Sequence, residues 1–233
     1  MNKILHTDLG LTDYFETWQL QKELHKLRTE KQIDDILITT EHNHVYTLGK
    51  AGDKNHLLLK ENELKEQGIS FFEIDRGGDL TYHGPGQLVA YPIFDLTNYY
   101  KDSHKFLRDL EETVILTLKD YGIEGTRDEG FTGVWVNENK ICAIGIKISR
   151  WVTMHGLALN VNNTLDLFGK IIPCGIFHKG VTSIKQETGN EINMETLIKS
   201  LIINFQKVFS AEAEEITPEK LKKNISFILT GKS

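Results

Sequence analysis

Arg76-Gly77-Gly78-Asp79-Leu80-Thr81-Tyr82-His83-Gly84-Pro85-Gly86-Gln87-Leu88 sets a cation and a histidine among four glycines and a proline. That composition suits neither an ordinary strand nor a helix. Glycine reaches backbone conformations closed to other residues and lets a ligand approach the main chain. Far downstream, Pro173-Cys174-Gly175-Ile176 places one of the chain's two cysteines between a proline and a glycine, outside any regular element. A thiol in such a turn can be presented to a cleft, although local context alone leaves nucleophile and plain loop cysteine both open. Together the segments suggest a ligand loop facing a nucleophilic cysteine, the pairing that acyl transfer uses.

A cysteine attacks as thiolate, so it needs a cation or base nearby. Lys140 is the candidate. It shares strand parity with Cys142, Ile144, Ile146 and Ile148 and so heads an apolar face, where partial burial would lower its pKa and let it take and return a proton. Read by itself, a solvated lysine beyond a hairpin turn is the simpler account. Lys147 has the opposite parity and reads as an exposed charge. Cys142 reads as a small buried hydrophobe. The glycine-rich stretch matches neither G-x-x-x-x-G-K-[ST] nor G-x-G-x-x-G, so it carries no nucleotide signature. His42 and His44 read as surface histidines, since they lack the partners that ligand spacing requires. His155-Gly156-Leu157-Ala158-Leu159-Asn160 reads as a small-residue turn into a strand, fit to line a narrow apolar slot or simply to pack.

The elements that must position these residues can be traced along the chain. Thr12 and Asp13 open a helix through Tyr14, Trp18, Leu24 and Leu27. Residues 36–40, 45–48, 71–74 and 88–93 read as strands. Ser103 is the expected N-cap of a helix through Phe106, Leu107, Leu110, Val114 and Leu118, ended by Gly122. Gly133-Val134-Trp135-Val136 and residues 140–148 form a hairpin across Asn137-Glu138-Asn139. Residues 157–161 give a further strand. Asn193 caps a helix through Met194, Leu197, Leu201 and Phe205, and Thr217-Pro218 opens a shorter charged one. Strands and helices in mixed order imply one α/β domain of α+β type over residues 1–233, with a mixed β-sheet flanked by helices.

At 233 residues the chain can bury one large core, and 39% hydrophobic with 26% charged residues is ordinary for a globular protein. A net charge of −6 argues against general nucleic-acid binding. No signal-peptide core opens the chain, and no apolar run approaches the ~18 residues of a membrane span. A reduced, cytoplasmic protein that does not engage membranes is the expectation.

The same residues carry a resemblance. Glu41-His42-Asn43-His44-Val45-Tyr46-Thr47-Leu48-Gly49 leads into residues 76–96, close to R-G-G-x-x-T-Y-H-G-P-G-Q-L. The match continues through residues 133–136, 140–145, Ser149-Arg150-Trp151, 155–162, Pro173-Cys174-Gly175-Ile176 and Val181-Thr182-Ser183. Over residues 41–183 the chain resembles the lipoyl(octanoyl) transferases, whose fold is that of the biotin and lipoate protein ligase catalytic domain. The resemblance implies transfer of octanoyl from octanoyl–acyl carrier protein to a lysine of lipoyl domains, those of 2-oxoacid dehydrogenases and the glycine cleavage H protein. It implies Cys174 as acyl-thioester nucleophile and Lys140 as acid/base. Substrate contacts carry over to Arg76, Gly77, Gly78, Asp79, Leu80, Thr81, Tyr82 and His83, to Ala143, Ile144 and Gly145, and to Gly156, Leu157 and Ala158. A thioester donor is already activated, so no cofactor, neither ATP nor metal, is implied. Cys142 and Leu157 stand where the family often has alanine and phenylalanine, changes that bear on pocket shape. Residues 185–233 match no motif. An octanoyl amidotransferase between carrier proteins, an ATP-dependent lipoate ligase and an inactive acyl-binding protein are the alternatives. Cys174 after Pro173 and the absence of a nucleotide loop weigh against the ligase, and Cys174 with Lys140 weighs against the binding protein, because a pure binding slot needs neither.

Overall fold

The computed structural model describes residues 2–172 and 180–230. The chain begins with β1 (Asn2–Thr12), α1 (Tyr14–Thr29), β2 (Asp35–His42), β3 (Val45–Leu48), α2 (Glu61–Glu66) and β4 (Ser70–Glu73). It continues with β5 (Leu80–His83), β6 (Gln87–Ile93), α3 (Ser103–Lys119), β7 (Val134–Val136), β8 (Asn139–Ser149) and β9 (Val152–Asn160). The last elements are β10 (Gly180–Val181), α4 (Ile184–Thr188), α5 (Met194–Phe209), β11 (Ala211–Glu215) and α6 (Pro218–Thr230).

Among the described residues these strands make a mixed eight-stranded sheet in the order β10-β8-β9-β6-β2-β1-β11, with β7 also paired to β8, and a three-stranded sheet β4-β3-β5. Strand β2 pairs parallel to β1 and antiparallel to β6. Its Ile36-Leu37-Ile38 run is continuous rather than alternating because both faces are covered. Leu37 faces Phe106, Leu110 and Val114 of α3 and Leu201 and Phe205 of α5. Ile36 and Ile38 face Leu24 and Leu27 of α1 and Leu221 and Ile225 of α6. Asp13 caps α1 and Asn193 caps α5, as their side-chain types suggest.

Several elements differ from the sequence reading. The cap of α3 is Asp102, whose Oδ1 accepts from the Lys105 amide at 3.0 Å, and Ser103 is the first helical residue. Within the glycine-rich stretch, Leu80–His83 forms strand β5, each residue opposite one of β3. Strand β9 starts at Val152, so His155 and Gly156 lie inside it, not in a turn. Strands β1 and β11 were not foreseen. The sequence AEAEE of β11 has no buried alternation and is a strand because β1 pairs with it in parallel register.

A charged cluster ties α1 to the sheet. Asp35, at the head of β2, accepts from Arg28 Nε at 2.6 Å, from the Asp95 amide at 2.8 Å and from the Tyr99 hydroxyl at 2.9 Å. Arg28 and Asp35 are both buried. Removing one partner of a buried pair strands the other charge. Arg28→Met is therefore expected to lower the unfolding free energy by about 3 kcal/mol, read from the shift of the urea midpoint.

Candidate active site

A cavity of about 540 Å³ lies where the three-stranded sheet meets β8 and β9 of the larger one. Ala143 and Gly145 of β8 and Gly156 and Ala158 of β9 line it, and β8 and β9 pair so that Ala143 faces Ala158 and Gly145 faces Gly156. The missing side chains make the room. A Cβ on Gly145 would lie 3.0 Å from both Arg76 Cδ and the Gly77 carbonyl oxygen, and one on Gly156 2.1 Å from the Ala90 carbonyl. Across that bare patch the Gly77 amide donates to the Ile146 carbonyl at 2.9 Å, so the glycine-rich segment lies directly against β8.

The structure brings most of the expected site residues to this cavity: residues 76–81, His83, Lys140, residues 143–145 and residues 156–158. Tyr82 is not among them. Its side chain packs in the core of the small sheet, with its hydroxyl 2.7 Å from His44 Nδ1. Arg76 acts first as a strap, donating to the Thr47 carbonyl at 2.7 Å, to Thr47 Oγ1 at 3.0 Å and to the Gly77 carbonyl at 3.0 Å. The Asp79 carboxylate meets His56 Nδ1 at 2.6 Å. Lys140 is half-buried; its Nζ donates to the Thr132 carbonyl at 3.3 Å and sits 4.7 Å above the Trp135 ring. Cys174 lies outside the described residues. Ile171 and Gly180, which bracket it in sequence, both line the cavity. Cys142 is fully buried, and burial pushes its thiol far up from the usual range.

Sequence reasoning missed a polar layer beside the slot. Asp75 accepts from His155 Nε2 at 2.8 Å and from Lys147 Nζ at 2.5 Å. Those two donors hold its carboxyl far below the usual range, the His155 hydrogen bond being the larger influence. Lys147 is thus no free surface charge, contrary to its strand-parity reading. His155 takes a left-handed backbone (φ 63°), and its amide donates to Gln21 Oε1 at 2.9 Å. This strained residue marks an irregularity that strict strand parity cannot anticipate. His42 is buried, not at the surface, with Nε2 2.8 Å from the Tyr91 hydroxyl. Tyr14 stacks on His83 with ring centroids 5.8 Å apart. The only sequence signal for Tyr14 as a site residue is an aromatic at the first position of its helix.

Burial opposes protonation of His42 and His83. Burial holds His83 down to about 3, with His42 and Arg76 adding to the effect, and burial holds His42 down to about 4. In the unfolded chain both titrate near 6.5. The unfolded state therefore binds protons that the folded state refuses, and stability falls as pH drops from about 6.5 toward 4. His42→Gln should flatten that slope by about 1.4 kcal/mol per pH unit, measured by urea unfolding at a series of pH values.

Residues 13–206 match the family model of the lipoyl protein ligase A/B catalytic domain. A curated octanoyltransferase of Flavobacterium johnsoniae is 51% identical over 227 residues, covering 90% of this chain and 98% of that protein. Among solved structures, a chain of the bi-partite lipoate protein ligase and E2 lipoyl domain system of Thermoplasma acidophilum has a TM-score of 0.74 at 16% identity, covering 100% of this chain and 94% of that one. Biotin protein ligase from Aquifex aeolicus, in complex with biotin and ATP, has a TM-score of 0.52 at 12% identity, covering 90% and 70%. These two likenesses bear out the expected ligase-type fold. Every residue that lines the cavity falls inside the matched span, and the chain belongs to the lipoyl protein ligase A/B catalytic domain family.

Proposed function

We propose that this protein is an octanoyltransferase, moving octanoyl from octanoyl–acyl carrier protein to the ε-amine of a lysine on lipoyl domains through a thioester on Cys174. The observation that carries the reading is one cavity lined by small residues and Lys140, with Ile171 and Gly180 on either side of Cys174 in sequence also at its wall. The curated name of the Flavobacterium relative, at 51% identity, points to the same reaction. The acceptors are lipoyl domains of 2-oxoacid dehydrogenases and the glycine cleavage H protein, and the compartment is the cytoplasm, where a free thiol stays reduced.

Lys140 takes the Cys174 proton, and the thiolate attacks the donor's carbonyl carbon. The tetrahedral adduct collapses, its bond to the carrier sulfur breaks, and the carrier thiolate leaves with the proton held by Lys140. In the second half the acceptor amine attacks the octanoyl-enzyme. Its surplus proton passes to Lys140, and the Cys174 thiolate departs and is reprotonated. Main-chain amides around the slot stabilise the oxyanion in both halves. The apolar slot holds the acyl chain while both carrier proteins dock outside it.

Intact-mass measurement after mixing with octanoyl–acyl carrier protein, without ATP, tests the reading. Cys174→Ala should show neither adduct nor transfer. Cys142→Ala, at a fully buried position on the core face of β8, should retain nearly all of both. An adduct on Cys142 would overturn the assignment.

Lys140→Met should slow octanoyl-enzyme formation at neutral pH and recover at alkaline pH. The effect is about tenfold for each unit by which Lys140 lowers the thiol's pKa. An enzyme that forms adduct and transfers normally without Lys140 would remove that residue from the mechanism.

A further inference from the structure

Glu111 lies on the buried face of α3, between Phe106, Leu110 and Val114, and is 0% exposed. A carboxylate in that place is costly unless donors surround it. Three do: Arg108 Nη1 at 2.7 Å, Arg127 Nε at 3.3 Å and the Gly133 amide at 3.0 Å. Arg127 also pairs with Glu112 and donates to the Arg108 carbonyl at 3.3 Å. A buried ion cluster contributes little net stability over apolar residues of the same size, so its use is better sought in what it orients.

Two of the three donors belong to residues 127–133, the segment that leads into β7. The Gly133 amide and the Thr132 carbonyl are the two ends of one peptide group. In a planar trans peptide the N–H and C=O point in opposite directions. Here the N–H donates to Glu111 and the C=O accepts from Lys140 Nζ at 3.3 Å. Gly133 has φ 132°, a backbone conformation that side chains oppose. A Cβ there would stand 2.6 Å from the Cys142 carbonyl oxygen and 3.4 Å from Lys140 Cε. Only glycine accepts this conformation, and a permissive glycine needs an outside contact to hold its peptide in one orientation; the Glu111 carboxylate, accepting the N–H, supplies it.

We infer that Glu111 is a positioning residue for Lys140, acting through the Thr132–Gly133 peptide and not by touching substrate. The inference rests on the reading of Lys140 as acid/base. Lys140 also sits over the Trp135 ring, while Glu111 faces Arg108 and Arg127.

The experiment follows octanoyl-enzyme formation by intact mass across pH, in the full chain. Glu111→Leu, which keeps bulk on an apolar helix face, should slow formation about tenfold at neutral pH and move the profile toward that of Lys140→Met. Glu111→Gln, which keeps an oxygen for the Gly133 amide, should regain most of the rate. In a Lys140→Met background Glu111→Leu should have no further effect. An unchanged Glu111→Leu enzyme overturns the inference, as does an equal slowing with and without Lys140, which would mark a merely structural loss. Should Glu111→Leu not fold, Arg127→Met, which removes one of the segment's two ties, should show the same shift at about threefold, and a wild-type profile in it overturns the inference. A Lys140→Met enzyme of normal rate and profile instead sinks the acid/base reading itself.

Discussion

The close approach of the glycine-rich segment to β8 is the constraint on which the site depends. Two sheets ordinarily pack about 10 Å apart, separated by their side chains. Here main chain lies on main chain: the Gly77 amide reaches the Ile146 carbonyl at 2.9 Å because Gly145 offers no Cβ between them. Arg76 then fixes the height of the small sheet over the large one by donating twice to Thr47 of β3. The space left between these contacts is lined by the small residues of β8 and β9 together with larger apolar side chains such as Leu107, Ile144 and Phe168.

Around that slot a set of side-chain amides and imidazoles is paired through hydrogen bonds. Gln87 Nε2 donates to Asn160 Oδ1 at 3.0 Å, its Oε1 lies 2.8 Å from His83 Nδ1, and Asn160 Nδ2 donates to the Thr182 carbonyl at 3.0 Å. One amide–amide–backbone chain thus joins β5, β6 and β9 to the residue after β10. Asp75, the ionised group at the slot's edge, is held between His155 and Lys147, and the imidazoles of His42 and His83 are kept neutral by burial. In so buried a setting each of these hydrogen bonds is stronger than it would be in water.

Lys140 occupies a different setting, at the margin of the larger sheet. Its strand leaves the hairpin turn there, and its carbonyl accepts from the Thr182 amide at 3.0 Å where β10 runs parallel to β8. Backbone pairing holds the residue's stem, and the Thr132 carbonyl and the Trp135 ring hold its amine. A lysine stem has four rotatable bonds, so the acid/base role proposed for Lys140 calls for such external fixing. Helix α3 reaches the Thr132–Gly133 peptide from outside the sheet, where Glu111 accepts from the Gly133 amide.

Much of this was legible in the residues. The caps Asp13 and Asn193, the hairpin about residues 137–139 and the buried run of β2 follow from side-chain chemistry and periodicity, whereas the slot-lining positions on β8 come from the family resemblance. Local signals fail where a strand exists only by pairing. Strand β11 has no apolar pattern of its own, β5 hides among glycines, and β1 carries polar residues that become buried only beside β2 and β11. They fail again where long-range contacts reassign a side chain. Parity makes Lys147 a surface charge, but the irregular backbone at His155 and the turn at Asp75 bring an acid to it. The sequence by itself determined which residue types were available for acyl chemistry and how each strand presents them. Tertiary structure alone decided which became neighbours, because a Gly145–Gly77 approach and a Glu111–Gly133 bond join residues with no shared local periodicity.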